Sequence, residues 1–295
     1  MQMSTAHFRK GAVLVGLSLL FAGGTARAEA IQPYKDALFS GQTVLERRDG
    51  GDFEVIDYQE LRDINGRDQI PERRVKSKYV DLGVRRQQVN ETLRLPSGNL
   101  EVARVGQADG AAFTVIFIHG RGGDRRLGIN DFSFGGNFNR LKNLAVSNGG
   151  VYYAPSVTSF DVAGVTAISG LIAHAAARSP GRPVVLACAS MGSFICWGAA
   201  RDAGTVANLA GLAILGGAPD PAFVGSAAHK AKLPVFFTHG SRDSVYASAD
   251  QIALYNRLYK AGYPTRFTLY ETGSHGTPVR MSDWRTILNW LLMAR

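Results

Sequence analysis

From residue 110 to the C-terminus, short apolar runs alternate with longer stretches whose apolar positions recur at helical spacing. The runs at 113–118, 151–154, 184–187, 212–215, 235–238 and 266–270 predict strands. The first is apolar almost without a break, the pattern of a strand buried on both faces. Between them, helices are predicted over 137–147, 162–178, 191–202, 249–261 and 282–293, with a short helix or loop reaching to 230. The last helix carries Trp284, Ile287, Leu288, Leu291 and Leu292 on one face. Strands that alternate with helices imply right-handed crossovers and a largely parallel sheet covered on both sides. Upstream, 79–82, 88–95 and 100–105 read as strands, with Pro96-Ser97-Gly98-Asn99 as a hairpin signal, so this entry is antiparallel. Residues 31–75 are polar and read as loop, apart from amphipathic pieces near 34–39 and 57–63. The expectation is one three-layer α/β domain at 78–295, its central sheet mostly parallel with antiparallel N-terminal strands, preceded by an extension at 29–77.

The first 28 residues stand apart. Arg9 and Lys10 precede an apolar run from Gly11 to Ala22, and Ala26-Arg27-Ala28 is a small-x-small cleavage site. This is the pattern of a secretory signal peptide, too short in its apolar part for a bilayer span. Cleavage after Ala28 is expected, with a periplasmic or secreted mature chain and no stable membrane insertion. Cleavage removes three bases and no acid, so the net charge falls from +9 to +6. That is a mild preference for anionic partners and no indication of nucleic acid. The densest basic stretch, Arg73 to Arg86, precedes no helix of recognition type and reads as a solvated face.

Composition narrows the class further. Hydrophobic residues form 45% of the chain, enough for a full core and against global disorder. Two cysteines make neither a disulfide framework nor a four-cysteine zinc site. No metal, nucleotide or flavin motif is present, so no cofactor is expected.

In an α/β sheet, reactive groups collect on the loops beyond the carboxyl ends of the strands. The strand at 184–187 runs into Cys188-Ala189-Ser190-Met191-Gly192, where a helix starts. A serine on such a sharp turn has its hydroxyl held above the sheet, and small residues two before and two after let the backbone fold back. Gly192 fills the second position and Cys188 stands at the first, where glycine is usual. The strand at 235–238 ends in His239-Gly240-Ser241-Arg242-Asp243, and that at 266–270 in Glu271-Thr272-Gly273-Ser274-His275. Ser190, Asp243 and His275 thus fall on three strand ends. A serine hydroxyl is a weak nucleophile, so a histidine must take its proton, and a carboxylate fixes that histidine's tautomer. After 113–118 comes His119-Gly120-Arg121-Gly122-Gly123, a glycine-rich loop able to turn amides inward.

With these four segments together, the chain from about residue 78 resembles the α/β-hydrolase superfamily. His-Gly-Ser-Arg-Asp at 239–243 is similar to a segment of its dienelactone-hydrolase and phospholipase/carboxylesterase branches, and Phe117 to Gly123 resembles their oxyanion strand and loop. The resemblance implies Ser190 as nucleophile, His275 as general base and then acid, Asp243 as the orienting acid, and the N–H groups of Arg121 and Met191 as oxyanion hole. It implies a serine hydrolase acting through an acyl-enzyme, foremost on carboxylic esters, small or polymer-borne. A peptidase or amidase on the same triad, and a hydrolase-like scaffold that only binds, are the alternatives.

The remaining residues are less specific. His119 and His239 read as loop-holding, and Asp220, Asp250 and Glu271 are rival triad acids, Asp220 foremost. The long loop 121–137 carries Gly122, Arg125 and Arg126, which either meet an anionic group of the substrate or, for the arginines, pair with Asp124 and Asp131. Cys188 and Cys196 are expected as two buried thiols, because one ends a strand and the other should lie two turns into a helix. The stretch 215–234 is too short for a large lid, so an open site is expected unless residues 31–75 fold over it.

Overall fold

The computed structural model describes residues 31–70 and 73–293 besides Met1; the expected signal peptide lies outside the described residues. The chain forms strands β1 (Val44–Arg48), β2 (Phe53–Asp57), β3 (Asp68–Gln69), β4 (Arg74–Val75), β5 (Gln88–Leu95), β6 (Gly98–Val105), β7 (Thr114–Ile118), β8 (Val151–Pro155), β9 (Val184–Ala189), β10 (Leu209–Leu215), β11 (Val235–Gly240) and β12 (Thr265–Glu271). Ten of them build one sheet in the order β1-β2-β12-β11-β10-β9-β7-β8-β6-β5, while β3 and β4 pair separately. From β2 to β8 the neighbours are parallel. The two edges are antiparallel, β5 on β6 on β8 and β1 on β2.

Alternation along the central strands explains the layers. On β7, Ile116 and Ile118 join one core with Leu186 and Cys188 of β9, under the helices Val162–Arg178, Ser193–Ala199 and Ser248–Lys260. Val115 and Phe117 face the opposite side with Val185, Ala187 and Ala189, under the helices Asn137–Ser147 and Trp284–Met293. A strand with period two and both faces covered must be apolar at every position, which is why these strands read as continuous runs.

Two expectations for the region before residue 88 fail. Residues 44–57, expected as loop, supply β1 and β2 and extend the sheet beyond β12. Phe53 stacks on Phe267 at 5.0 Å and meets Tyr255 at 5.4 Å, so the extension shares the core of the main sheet. The hydrophobic signal was weak because β1 is an edge strand whose Glu46, Arg47 and Arg48 face solvent, Arg47 pairing with Glu54 across the hairpin. Charge on an exposed edge blocks further strand pairing and hides the strand from hydropathy. Residues 79–82, expected as strand, lie instead across two 3₁₀ turns, Ser77–Tyr79 and Leu82–Gln87, with Tyr79 packed edge-on against Phe39. Among the described residues no helix is long and apolar enough to cross a membrane.

Candidate active site

Ser190 lies between β9 and the helix Ser193–Ala199 with φ of +53°, a left-handed conformation that a non-glycine residue adopts only under constraint. Its surroundings supply that constraint. Gly192 passes under the end of β7, where a Cβ would come within 2.7 Å of the His119 carbonyl oxygen. Gly120 passes over the serine, where a Cβ would lie 2.8 Å from Ser190 Cβ. Both positions must therefore be glycine for the turn and the β7 loop to meet.

The turn is also stapled. Cys188 and Cys196, expected as free thiols, form a disulfide that joins the end of β9 to the helix beyond the serine, with a Cα–Cα distance of 6.2 Å. The sequence predicts a helix from 191, which would put Cys196 well inside it. That helix begins only at Ser193, so Cys196 lies one turn in, and the sharp turn directs this part of the helix back over the strand end. Both cysteines are fully buried.

The tips of β11 and β12 bring the other two residues in. His275 Nε2 is 2.8 Å from Ser190 Oγ, and His275 Nδ1 is 2.7 Å from Asp243 Oδ2. Asp243 Oδ1 accepts the N–H groups of Val245 and Tyr246 at 2.8 and 3.1 Å, which fixes the carboxylate on its own loop. Burial of Asp243 would raise its pKa. The hydrogen bonds from His239, His275 and the two N–H groups outweigh it and hold the carboxyl well below the usual carboxylate range. With Asp243 accepting at Nδ1, His275 presents the Nε2 lone pair to the serine hydroxyl. The imidazole is 28% exposed, so a substrate has access, and the Tyr246 ring lies beside it at 5.8 Å.

The loop after β7 is fixed in detail. His119 Nε2 accepts the Val157 N–H at 3.0 Å, so its proton sits on Nδ1 and is donated to the Gly120 carbonyl at 2.7 Å. Burial pushes the His119 pKa down and keeps the ring neutral. The Gly123 N–H closes a turn onto the Gly120 carbonyl at 3.2 Å. Among the described residues, the N–H groups of Arg121 and Gly122 have no acceptor, and they lie next to the glycine that touches Ser190. Met191 opens the helical turn after the serine, where the first N–H groups have no intrahelical partner.

The other candidates are placed elsewhere. Arg125 pairs with Glu101, and Arg126 Nε with Asp124 at 2.8 Å. Asp131 binds the buried Lys142 at 2.7 Å and Arg85 at 2.6 Å, and pins the far end of the loop. Asp220 bonds Arg201 and the Ala222 N–H, and does not reach His275. The Tyr58 carbonyl accepts the Thr272 hydroxyl at 2.6 Å, and the Val75 N–H donates to the Phe132 carbonyl at 3.0 Å. One contact went unread in the sequence. His239 Nε2 lies 3.2 Å from Asp243 Oδ2, and the only signal was the four-residue spacing of the two on one loop.

A mostly parallel sheet with antiparallel β5 and β6 at its entry, a strained serine after the central strand β9, an acid beyond β11 and a histidine beyond β12 define the α/β-hydrolase fold, and the chain has it. No family model matches the sequence, and no curated protein does. Solved structures match the fold. A thermostable esterase superposes with a TM-score of 0.56 at 18% identity over 70% of this chain, which spans 63% of that esterase's length. The esterase Pf2001 of Pyrococcus furiosus gives 0.53 at 13% identity, covering 70% of this chain and 92% of its own. The feruloyl esterase module of Clostridium thermocellum, complexed with sinapinate, gives 0.55 at 14% identity over 75% of this chain and 92% of that one.

Proposed function

We propose that the protein is an exported serine hydrolase that cleaves carboxylic esters through an acyl-enzyme. The observation that carries this reading is the unbroken hydrogen-bond chain Ser190–His275–Asp243 at the mouth of the sheet. In this reading Ser190 Oγ attacks the acyl carbon as His275 Nε2 takes its proton. The Arg121 and Met191 N–H groups hold the developing oxyanion, each contributing roughly 2.7–4 kcal/mol in the transition state. His275 then protonates the leaving alcohol, and a water activated by the same Nε2 releases the acid and frees Ser190. Esters are favoured because solved esterases share the fold. Export is supported by the sequence of residues 1–28 and by the Cys188–Cys196 bond, since structural disulfides persist in oxidising compartments.

The test is a fluorophosphonate probe on the mature chain, with the adduct located by peptide mass spectrometry. Labelling at Ser190, lost in His275→Ala, is expected, and a short- to long-chain ester series then ranks the substrates. A folded chain that takes no label refutes the mechanism. N-terminal sequencing of the exported protein should begin at Glu29.

A further inference from the structure

Two imidazoles converge on one oxygen of Asp243. His275 Nδ1 is 2.7 Å from Oδ2 and His239 Nε2 is 3.2 Å from the same atom. His239 is fully buried at the end of β11. Its Nε2 also lies 3.0 Å from the Tyr246 carbonyl oxygen, and its Nδ1 lies 2.6 Å from Gln251 Oε1. A ring nitrogen that faces only oxygen lone pairs must carry a proton. Nε2 faces a carbonyl and a carboxylate, so it keeps its proton whichever way the Gln251 amide is turned. The amide decides only Nδ1. With Oε1 inward the ring is an imidazolium and Gln251 Nε2 is buried without an acceptor; turned over, the amide donates to Nδ1 and the ring is neutral.

We propose that His239 is a positioning residue for the relay: its Nε2–H, bonded to the Tyr246 carbonyl, also bears on Asp243 Oδ2 at 3.2 Å, and this second contact sets the carboxylate's orientation toward His275. The inference rests on the catalytic role proposed for Asp243. The groups facing His239 are few. Asp243 and the Tyr246 carbonyl come from its own loop, Gln251 from the helix Ser248–Lys260, and Leu269 is its neighbour on β12. Among the described residues, Asp243 is the one charged side chain paired with it, with His275 beyond. The Val245 and Tyr246 N–H groups hold Oδ1 and the two imidazoles meet Oδ2, so the carboxylate is fixed from both sides with Oδ2 toward His275 Nδ1.

Two variants separate this from a merely structural role. His239→Gln retains a donor at the Nε2 position, whereas His239→Asn reaches only the Gln251 side. The readout is the rate of fluorophosphonate labelling at Ser190 at neutral pH, on chains shown to be folded by their melting curves. The rate should fall about tenfold in His239→Asn and return toward the parent in His239→Gln. An unchanged rate in both folded variants overturns the proposal. The nitrogen-15 spectrum of His239 supplies a second readout that needs no turnover. A protonated Nε2 whose proton signal moves in Asp243→Asn is expected, and a bare Nε2, or a signal indifferent to that change, overturns the proposal. Parent chain that takes no label at all refutes the hydrolase reading instead, and the nitrogen spectrum then decides the His239–Asp243 bond alone.

Discussion

The disulfide across the serine turn offers the most quantitative test of this structure. Cys188 and Cys196 are separated by eight positions and join the two arms of the turn that holds Ser190. Cross-linking removes loop-closure entropy from the unfolded chain. For a loop of this length the chain-entropy relation gives about 8 cal/mol/K, or about 2.5 kcal/mol at 25 °C. Replacing both cysteines by alanine also removes two buried sulfurs, at roughly 0.5–1 kcal/mol each if the core closes partly around them. The expected loss is therefore about 3.5–4.5 kcal/mol, which for a domain of this size lowers the melting temperature by about 7–18 °C. Urea unfolding of the parent and of Cys188→Ala/Cys196→Ala, followed by tryptophan fluorescence, measures it directly. Labelling of Ser190 should survive at 20 °C, because Gly120 and Gly192 still confine the turn, and should fall earlier than in the parent on warming. A loss below 1 kcal/mol, with unchanged denaturant sensitivity, would refute the entropic argument. Complete loss of labelling in a folded double variant would show that the staple, and not the glycine contacts, holds the serine.

Other consequences of the geometry are as direct. Asp243→Asn leaves His275 with the wrong tautomer facing Ser190, and ester turnover should fall by about 10⁴, measured on a chain shown to be folded at neutral pH by its circular dichroism spectrum. Gly120→Ala places a methyl 2.8 Å from Ser190 Cβ, so labelling and turnover should drop by about 10²-fold in a chain with a native circular dichroism spectrum. Asp243 also ties stability to pH. Its folded pKa is depressed, so its contribution is complete above the unfolded carboxyl value near 4 and is lost as pH falls from there toward the folded value. Melting curves between pH 6 and pH 2.5 should show a steeper acid decline in the parent than in Asp243→Asn. Lys142→Met leaves Asp131 in the core with the Asn139 amide and the half-exposed Arg85 as its partners, and should cost about 3 kcal/mol in chemical denaturation.

Much of the architecture was legible before the chain folded. The strands from β7 to β11 announced themselves as apolar runs because each is buried on both faces. The strand ends named Ser190, Asp243 and His275 because a parallel sheet gathers its loops at one edge, and the three side chains do meet there. What local pattern could not supply was everything that depends on partners distant in sequence. β1 and β2 are strands because β12 offers an unpaired edge more than 200 residues away, not because residues 44–57 are strongly apolar. Arg125 pairs with Glu101, a partner on β6 that the loop's own sequence does not name. Cys188 and Cys196 looked too far apart along a strand and a helix; the distance between them is set by how sharply the turn reverses, which is fixed by the close approach of β7. His239 touches Asp243 only because the loop between them closes on itself around the Tyr246 carbonyl and the Gln251 side chain. Periodicity reports which face of an element is buried, whereas pairing, register and hydrogen-bond partners are decided by the neighbours that the whole sheet brings into range.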